Sequence, residues 1–284
     1  MQQQISHIST PTNVVQYVAL PILQEVAPAI TPSEVFAILH PNLGTHNEDI
    51  EFVLSEISRL QPDESRRGTW LMTQPTFQEW FSSDGSRILL IDGQERERHI
   101  TSLSYFIATL DQGLHRDMDC VVLSYFCGLH ISSDASSSGN DKETGSSVSI
   151  MRSLIGQLLV KAQLSFDTRS ISHNLLSHVE KHDVGAFCRL FHILVTTCAP
   201  STIFIQLDGI SWLESYSQTE VEDAQKVFAA FRALVQELEE PKSYARGQGR
   251  GISNVKILLT SARPCMEFQQ FFEDACFSMP RSCY

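Results

Sequence analysis

The chain has 284 residues, of which 42% are hydrophobic, and it carries a formal net charge of −12 at pH 7. This length and composition are sufficient for one large α/β domain, or for a domain with a helical extension. The acidic balance excludes a general affinity for nucleic acids or anionic membranes, because both are polyanions that bind clustered Lys and Arg.

The first residues and the cysteines indicate the compartment. The segment Met1–His7 lacks a positive charge followed by an apolar core, so it does not resemble a secretory signal. Apolar runs elsewhere are too short to span a bilayer. The seven cysteines form an odd set without C-x-x-C spacing. Reduced thiols in a cytoplasmic protein are therefore expected.

Residues 1–45 are predicted to form a poorly ordered N-terminal arm. Prolines interrupt this arm and would end any helix early, namely Pro11, Pro21, Pro28, Pro32 and Pro41. The segment Ser33–Leu39 could still form one or two helical turns. We expect the arm to pack loosely or to be partly disordered.

Residues 46–86 are predicted to be a helical lead-in to the main domain. Apolar residues recur at helical spacing between His46 and Leu60, which indicates an amphipathic helix. A second, short helix is predicted over Thr76–Phe81. Aromatic side chains in and before this second helix, Trp70 and Trp80 among them, are expected to be buried.

From residue 87 onward, apolar runs typical of strands alternate with helical stretches. The predicted strands are Ile88–Ile91, Cys120–Phe126, Thr202–Leu207 and Val255–Thr260. The predicted helices are Ile100–Gln112, Ser149–Gln163, Val184–Cys198 and Glu220–Glu239. This alternation indicates a three-layer α/β domain with a parallel sheet between helices. The carboxyl ends of such strands share one edge of the sheet, where any ligand is expected.

Two polar segments interrupt the alternation. Residues 131–149 contain few apolar side chains and are predicted to be a mobile loop. Residues 240–253, with the basic turn Arg246–Gly251, are predicted to be a second mobile loop. A nucleic-acid contact is the functional alternative for the basic turn, but a plain connector is favoured in an acidic chain.

The turn after the first predicted strand has the position of a phosphate-binding loop but not its chemistry. Such loops follow G-x-x-x-x-G-K-[ST]: glycines let backbone N–H groups surround the phosphates, Lys neutralises them, and the hydroxyl group holds Mg²⁺. Counting from Gly93, Arg98 stands at the second Gly. His99 then replaces the Lys, and Ile100 replaces the hydroxyl residue. Thr101 would supply that hydroxyl group only if the loop were shifted by one residue.

Alternatives remain open at each of these positions. Gly93 either provides a positive φ or ends the strand in an ordinary turn. Arg98 would fill space that the backbone needs near phosphate, and a neutral His99 offers only a hydrogen bond. Residues 95–98 alternate in charge as Glu-Arg-Glu-Arg. The two arginines could replace the positive charge of the missing Lys, but the two glutamates largely cancel it. The favoured interpretation is that these are ordinary charged side chains of a solvated loop.

The order of several motifs along the chain resembles one NTPase family. The segments that carry the similarity are Gly68–Leu71, Pro75–Trp80, the strand into Gly93, Val121–Phe126, Ile150–Leu159, Phe204–Gly209 and Lys256–Pro264. Together they resemble fungal NACHT-like STAND NTPases of the nephrocystin-N-terminal type, over residues 46–280. The resemblance implies a P-loop NTPase-like domain at residues 87–284 with degenerate Walker A and Walker B motifs. Family members bind ATP or GTP and switch oligomeric state to relay a signal.

The resemblance assigns Asp208 to the Walker B position, where a carboxylate holds the Mg²⁺ shell. The structural alternative is an Asp that caps the turn into Gly209. The next two acids of the motif fall at Ser211 and Trp212, and neither side chain can activate water. Glu214 would have to replace them.

The resemblance also places Arg263 approximately at a sensor arginine, with Ala262 inserted before it. A surface or helix-cap role is the alternative for Arg263. The candidate residues of the degenerate nucleotide site are therefore Gly93, Arg98, His99, Thr101, Asp208 and Arg263. Asp208 would hold Mg²⁺ only if a nucleotide binds.

A zinc site is a weaker candidate. His178 and His182 are four residues apart, as are Cys188 and His192, and two such helical pairs could together bind zinc. Because Asp183–Gly185 is predicted to break the helix and no C-x-x-C accompanies the pairs, ordinary helix histidines are favoured. No signature of a hydrolase elbow, a zinc-protease helix or a dinucleotide-binding loop occurs.

Three functional hypotheses follow. The first is a degenerate STAND-like domain that does not hydrolyse nucleotide, is not an enzyme, needs no cofactor, and acts as an interaction or regulatory module. The second is a weak or atypical NTPase that uses Mg-ATP or Mg-GTP, with Arg98, His99 and Thr101 in place of the normal trio. The third is a truncated fragment of a larger STAND protein, because the chain ends near an expected fifth strand after Phe277–Met279.

Overall fold

The computed structural model describes residues 30–39, 45–116, 120–131, 146–161, 168–198, 202–239 and 254–281. These residues form a parallel five-stranded sheet in the order β2-β3-β4-β1-β5. The strands are β1 (Arg87–Asp92), β2 (Cys120–Phe126), β3 (Thr202–Asp208), β4 (Asn254–Ser261) and β5 (Cys276–Ser278). Asp92 lies opposite Ser261, and Phe126 lies opposite Asp208. The carboxyl ends of β1 to β4 are therefore level with one another.

Helices surround the sheet. In the described residues they are α1 (Pro32–Leu39), α2 (Thr45–Ser55), α3 (Pro62–Met72), α4 (Pro75–Ser82), α5 (Ser102–Leu114), α6 (Ser147–Lys161), α7 (His173–Glu180), α8 (Val184–Thr197) and α9 (Gln218–Glu239). Short 3₁₀ segments follow β2, at Cys127–His130, and β3, at Ile210–Ser215. None of these helices is long and apolar enough to cross a membrane.

The sheet separates two hydrophobic cores. Successive side chains of a strand point to opposite faces, so Ile203 and Ile205 of β3 enter one core while Phe204 enters the other. The larger core is covered by α1 and α6 to α9, and the smaller core by α2 to α5. This arrangement confirms the predicted fold class, a three-layer α/β domain with a parallel sheet.

The four predicted strands are confirmed, with bounds that differ by at most one residue at either end. The predicted position of a fifth strand, beyond Phe277–Met279, is wrong: the fifth strand is Cys276–Ser278 itself, paired with β1. Three residues are too few to show a periodicity, so only the pairing identifies this strand.

Two helices were not predicted, α3 and α7. Helix α3 begins with Pro62 at its first turn, and Gln61 and Glu64 form a capping box there. Its composition is mostly polar, and within it Leu71 is a fully buried apolar residue. The apolar periodicity that marks an amphipathic helix is therefore weak, and the start signals alone indicated α3.

The arm differs from the expected loose packing at Pro32–Leu39. This segment is a helix, and Val35 and Leu39 are buried in the larger core. Residues 1–29, and most of the predicted mobile loops (132–145 and 240–253), lie outside the described residues. At the end of the first predicted loop, Ser147–Ser149 already belongs to α6, where the Ser149 N–H donates to Ser146 Oγ at 3.2 Å. Serines that cap a helix resemble a polar loop in sequence.

Candidate functional site

The candidate site lies at the carboxyl edge of the sheet. The loop between β1 and α5, the turn after β3 and the segment after β4 meet there, because their strands end at the same level. The Gly93 N–H donates to Ser261 O at 2.7 Å, and the Glu95 N–H donates to Ala262 O at 2.8 Å. The first half of the loop is thus bound to the end of β4.

Asp208 is the central residue of this edge and is 2% exposed. Its Oδ1 accepts a hydrogen bond from Thr260 Oγ1, and its Oδ2 accepts one from Ser104 Oγ, both at 2.6 Å. Burial raises the pKa of Asp208 to about 6, although both hydroxyl bonds act in the opposite direction. The carboxylate joins β3 to β4 and α5. It bonds across the edge, in contrast to the alternative in which it caps its own turn.

The hydroxyl group of α5 that meets Asp208 belongs to Ser104, which sequence reasoning missed. Thr101 is the N-cap of α5: its Oγ1 accepts from the Ser104 N–H at 3.2 Å, and its own N–H donates to Ser104 Oγ at 2.9 Å. Thr101 therefore begins the helix and does not itself contact Asp208. The motif count from Gly93 reaches residues 100–101, about one helical turn before Ser104. The T-x-x-S pattern of a capping box was the available signal.

Glu95 occupies the amino end of α5. Its carboxylate accepts from Ser102 Oγ at 3.1 and 3.2 Å, at the first residue of the helix. Burial raises the pKa of Glu95, while the nearby Arg67 and the bonds from Ser102 act in the opposite direction. The amino end of a helix presents free N–H groups and a positive dipole end, which stabilise an anion. Here that anion is a side chain of the protein.

Arg67 is the second residue that sequence reasoning missed. It lies on α3 and is 5% exposed. Its guanidinium donates to Gly93 O, and also to Pro280 O and Arg281 O at 3.1 Å each. Arg67 thus connects α3 with the loop after β1 and the segment after β5. These partners are far from it in sequence, so no local pattern could indicate the contact.

The structure corrects the conformational role suggested for Gly93. Among the described residues, positive φ occurs at Gly209, Gln94 and His182, and not at Gly93. Gln94 adopts φ 52°, and Asp92 accepts from its N–H at 3.1 Å and from its Nε2 at 2.7 Å. A Cβ at Gly93 would lie 2.9 Å from Leu103 Cδ1 and 3.2 Å from Ser261 O. Close packing, not φ, favours glycine there.

The residues predicted to replace the phosphate-binding side chains do not converge. Arg98 is exposed and pairs with Glu64 of α3 at 3.4 Å. The His99 ring stacks on Trp212, with centroids 5.2 Å apart and planes at 5°, and His99 Nδ1 lies 2.8 Å from Gly128 O. Ile100 packs against the smaller core. Each of these residues has a structural partner away from the amino end of α5.

Gly128→Ala is expected to lower the free energy of unfolding by about 2 kcal/mol, the cost of overpacking a close contact. A Cβ at Gly128 would lie 2.5 Å from His99 O, a backbone atom, and 3.1 Å from Trp212 Nε1. Gly113→Ala on α5 is the matched control, since nothing lies within 4 Å of its Cβ. The control is expected to stabilise the helix by about 0.5–1 kcal/mol. Urea unfolding of both variants measures the difference, and equal effects would contradict this account.

Arg263 lies within an ion-pair network. Its Nε donates to Glu97 at 3.1 Å, and its Nη1 donates to Glu214 at 2.9 Å. The other oxygen of Glu214 accepts from the Glu267 N–H at 2.7 Å. Both oxygens of the Glu214 carboxylate are therefore in use. Glu214 does not stand free to replace the missing acids at Ser211 and Trp212.

The four residues of the zinc alternative do not form a group. Asp183 caps α8, accepting from the Ala186 N–H at 2.9 Å, and the predicted helix break is confirmed. His178 Nδ1 lies 3.6 Å from an Asp183 oxygen, and His192 Nε2 lies 2.7 Å from Glu237. Within the described residues, the grouping of potential metal ligands occurs elsewhere. The zinc hypothesis for these residues is not supported.

The parallel sheet, the buried Asp208 at the end of β3 and the helix that starts after β1 at the same edge define an α/β domain of the P-loop-like class. The family described as Nephrocystin 3, N-terminal, matches residues 66–261, which is more than half of the chain. The chain therefore belongs to this family, and the resemblance to the nephrocystin-N-terminal type is confirmed. No curated protein matches the chain.

Proposed function

We propose that this NTPase-like domain does not hydrolyse nucleotide and acts instead as an interaction or regulatory module. The observation that carries the proposal is the Glu95 carboxylate at the amino end of α5, hydrogen-bonded to Ser102. In a phosphate-binding loop this helix end receives the phosphates. Here a phosphate would have to displace an acidic side chain or lie beside it.

The electrostatic cost of a phosphate beside Glu95 is large. Two like unit charges about 4 Å apart repel by about 4 kcal/mol at an effective dielectric constant of about 20. Two cations near the loop have partners already: Arg67 donates to three backbone carbonyls, and Arg263 is shared by Glu97 and Glu214. Neither arginine can turn to a phosphate without losing these bonds.

Hydrolysis also lacks a base. The Walker B acids that would activate water correspond to Ser211 and Trp212. Ser211 is fully buried, and Trp212 stacks on His99. Glu214, the remaining acid of the turn, is bound by Arg263 and by the Glu267 N–H. No carboxylate of this turn is available to accept a proton from water, which supports a non-hydrolytic domain.

The wild-type protein is expected to show no rise in melting temperature with ATP, GTP or ADP, with or without Mg²⁺, and no release of phosphate. Ligand that binds only the folded state raises this temperature. Glu95→Ala is expected to acquire a rise of about 1–2 °C with millimolar inorganic phosphate, because the resident anion is removed. Glu51→Ala, which removes an exposed acid of α2, is the control. A nucleotide-dependent rise or multiple turnover in the wild type would refute the proposal.

An atypical Mg-ATP- or Mg-GTP-binding NTPase is the second candidate, and one observation favours it. Asp208 still accepts a hydrogen bond from the hydroxyl group of Ser104, in the first turn of the helix after β1. Such a carboxylate and hydroxyl pair could hold Mg²⁺ beside a nucleotide. In this candidate, Asp208→Ala abolishes a Mg²⁺-dependent nucleotide affinity of the wild type. If the wild type has no such affinity, this candidate is eliminated. That the chain is a fragment of a larger STAND protein stays a prediction.

A further inference from the structure

A group of potential metal ligands lies outside the candidate nucleotide site. One ligand atom from each of His46 on α2, Asp111 on α5 and His115 at the end of α5 lies within 4.8 Å of the other two. Asp111 and His115 are four residues apart, so they share a face of α5. His46 and Asp111 are buried, at 5% and 1% exposure, and the His115 side chain is 42% exposed.

We propose that His46, Asp111 and His115 bind Zn²⁺. Two imidazole nitrogens and a carboxylate are a donor set that zinc accepts, and three protein ligands leave one position for water. Ligand atoms about 2.0–2.1 Å from a tetrahedral zinc lie about 3.3 Å from one another. His115 Nδ1 is 2.9 Å from Asp111 Oδ1, and His46 Nε2 is 4.0 Å from Asp111 Oδ2. Small side-chain shifts bring these atoms to the required spacing.

The side chains around the group orient its ligands. His46 Nε2 lies 3.0 Å from Lys161 Nζ, so its lone pair faces the Lys161 ammonium, which a bound metal would displace. Burial lowers the pKa of His46 to about 4, and the ring is therefore neutral at pH 7, as a ligand must be. Ser124 Oγ donates to Asp111 Oδ2 and fixes the carboxylate. Such outer partners hold metal ligands in place.

Lys161 competes with the metal for this space. Its Nζ also donates to Val122 O at 2.6 Å, and burial lowers the pKa of Lys161 to about 8. The hydrogen bond to Asp111 raises the pKa of His115, so a proton competes there as well. Cys120 is the remaining titratable group that acts on Lys161.

The test is titration of the full-length, chelator-stripped protein with Co²⁺ and Zn²⁺ at pH 8.0. We expect one Co²⁺ per chain, with the visible absorption of a tetrahedral site, displaced by Zn²⁺. Lys161→Met removes the competing cation and is expected to tighten binding on the order of tenfold. His115→Ala is expected to weaken binding by more than about 100-fold, since loss of a ligand exceeds loss of an outer partner.

His192→Ala is the control, because this exposed histidine pairs with Glu237 away from the group. Its Co²⁺ binding is expected to equal that of the wild type. His46→Gln tests the buried ligand, and if that variant fails to fold, the half-exposed His115→Ala decides by itself. Absence of stoichiometric Co²⁺ binding in the wild type would overturn the proposal. So would binding that His115→Ala leaves unchanged.

Discussion

Arg67→Met is expected to lower the free energy of unfolding by about 3–5 kcal/mol, the cost of breaking a buried charge network by removing one partner. The substitution leaves the carbonyls of Gly93, Pro280 and Arg281 without their donor. It also removes the cation that opposes the burial of Glu95. Methionine retains much of the side-chain volume, so a cavity contributes little. Urea unfolding at pH 7 measures the effect.

Arg66→Met is the matched control on the same helix. Its side chain is 74% exposed and pairs with the exposed Asp63 at 3.6 Å. Exposed pairs of this kind contribute about 0–1 kcal/mol, so the control is expected to remain close to the wild type. The loss in Arg67→Met should shrink at pH 4, where Glu95 is protonated and needs no cation. A similar loss in both arginine variants would contradict the structural role of Arg67.

Between about pH 4 and pH 7, the free energy of unfolding of Asp208→Asn is expected to rise by about 3 kcal/mol relative to that of the wild type. The folded protein raises the pKa of Asp208 to about 6 from the ordinary value of 3.8. The folded state therefore holds this proton more tightly than the unfolded chain. As pH rises from 3.8 through 6, the wild type loses stability that a non-titrating Asn retains. Relative to the wild type, the variant becomes more stable between pH 4 and pH 7.

The measurement is urea unfolding of both proteins at several pH values across this window. Asn keeps the shape of Asp and can still bond to Ser104 and Thr260, whose hydroxyl groups can rotate to donate or accept. Asp63→Asn, at an exposed position, is the control and is expected to change stability little. A difference in the free energy of unfolding between Asp208→Asn and the wild type that stays constant across this window would show that folding does not raise the pKa of Asp208.

The two predictions concern one structural device. The partly buried Glu95 lies near the buried Asp208, and its charge contributes to the raised pKa of Asp208. Arg67 acts on Glu95 from α3, while Ser104 and Thr260 bond to Asp208. An edge that in a phosphate-binding loop would be closed by a nucleotide is here closed by the protein's own side chains. The proposed loss of nucleotide binding follows from this closure.

The sequence predicted the sheet well because its strands are long apolar runs. A strand buried on both faces reads as a continuous run of Val, Ile, Leu and Phe, as in Thr202–Asp208 and Asn254–Ser261. The helices against the sheet carry apolar stripes of similar clarity. By contrast, β5 has only three residues, and α3 is mostly polar. Such elements are stabilised by contacts with neighbouring elements, so a local sequence pattern does not reveal them.

The candidate site was predicted in outline only. Asp208 was correctly placed at the strand end, and the turn after Gly93 was correctly found at the same edge. The side chains that contact Asp208 and the helix end were assigned by counting along a motif. That count placed Ile100 at the hydroxyl position and reached Thr101 only with a shift of one residue; Thr101 caps α5, and Ser104 makes the contact.

The sequence by itself determined the α/β class and the family, because these depend on local periodicity and on residue identity. Only the tertiary structure decided which side chains meet at the sheet edge. Arg67 reaches carbonyls that are 26 to 214 residues away in the chain, and Ser104 reaches Asp208 across 104 residues. Contacts of this kind arise when packed helices and parallel strands bring remote segments together. Hydrogen bonds and buried charge then act over a few ångströms in space, whatever the separation in sequence.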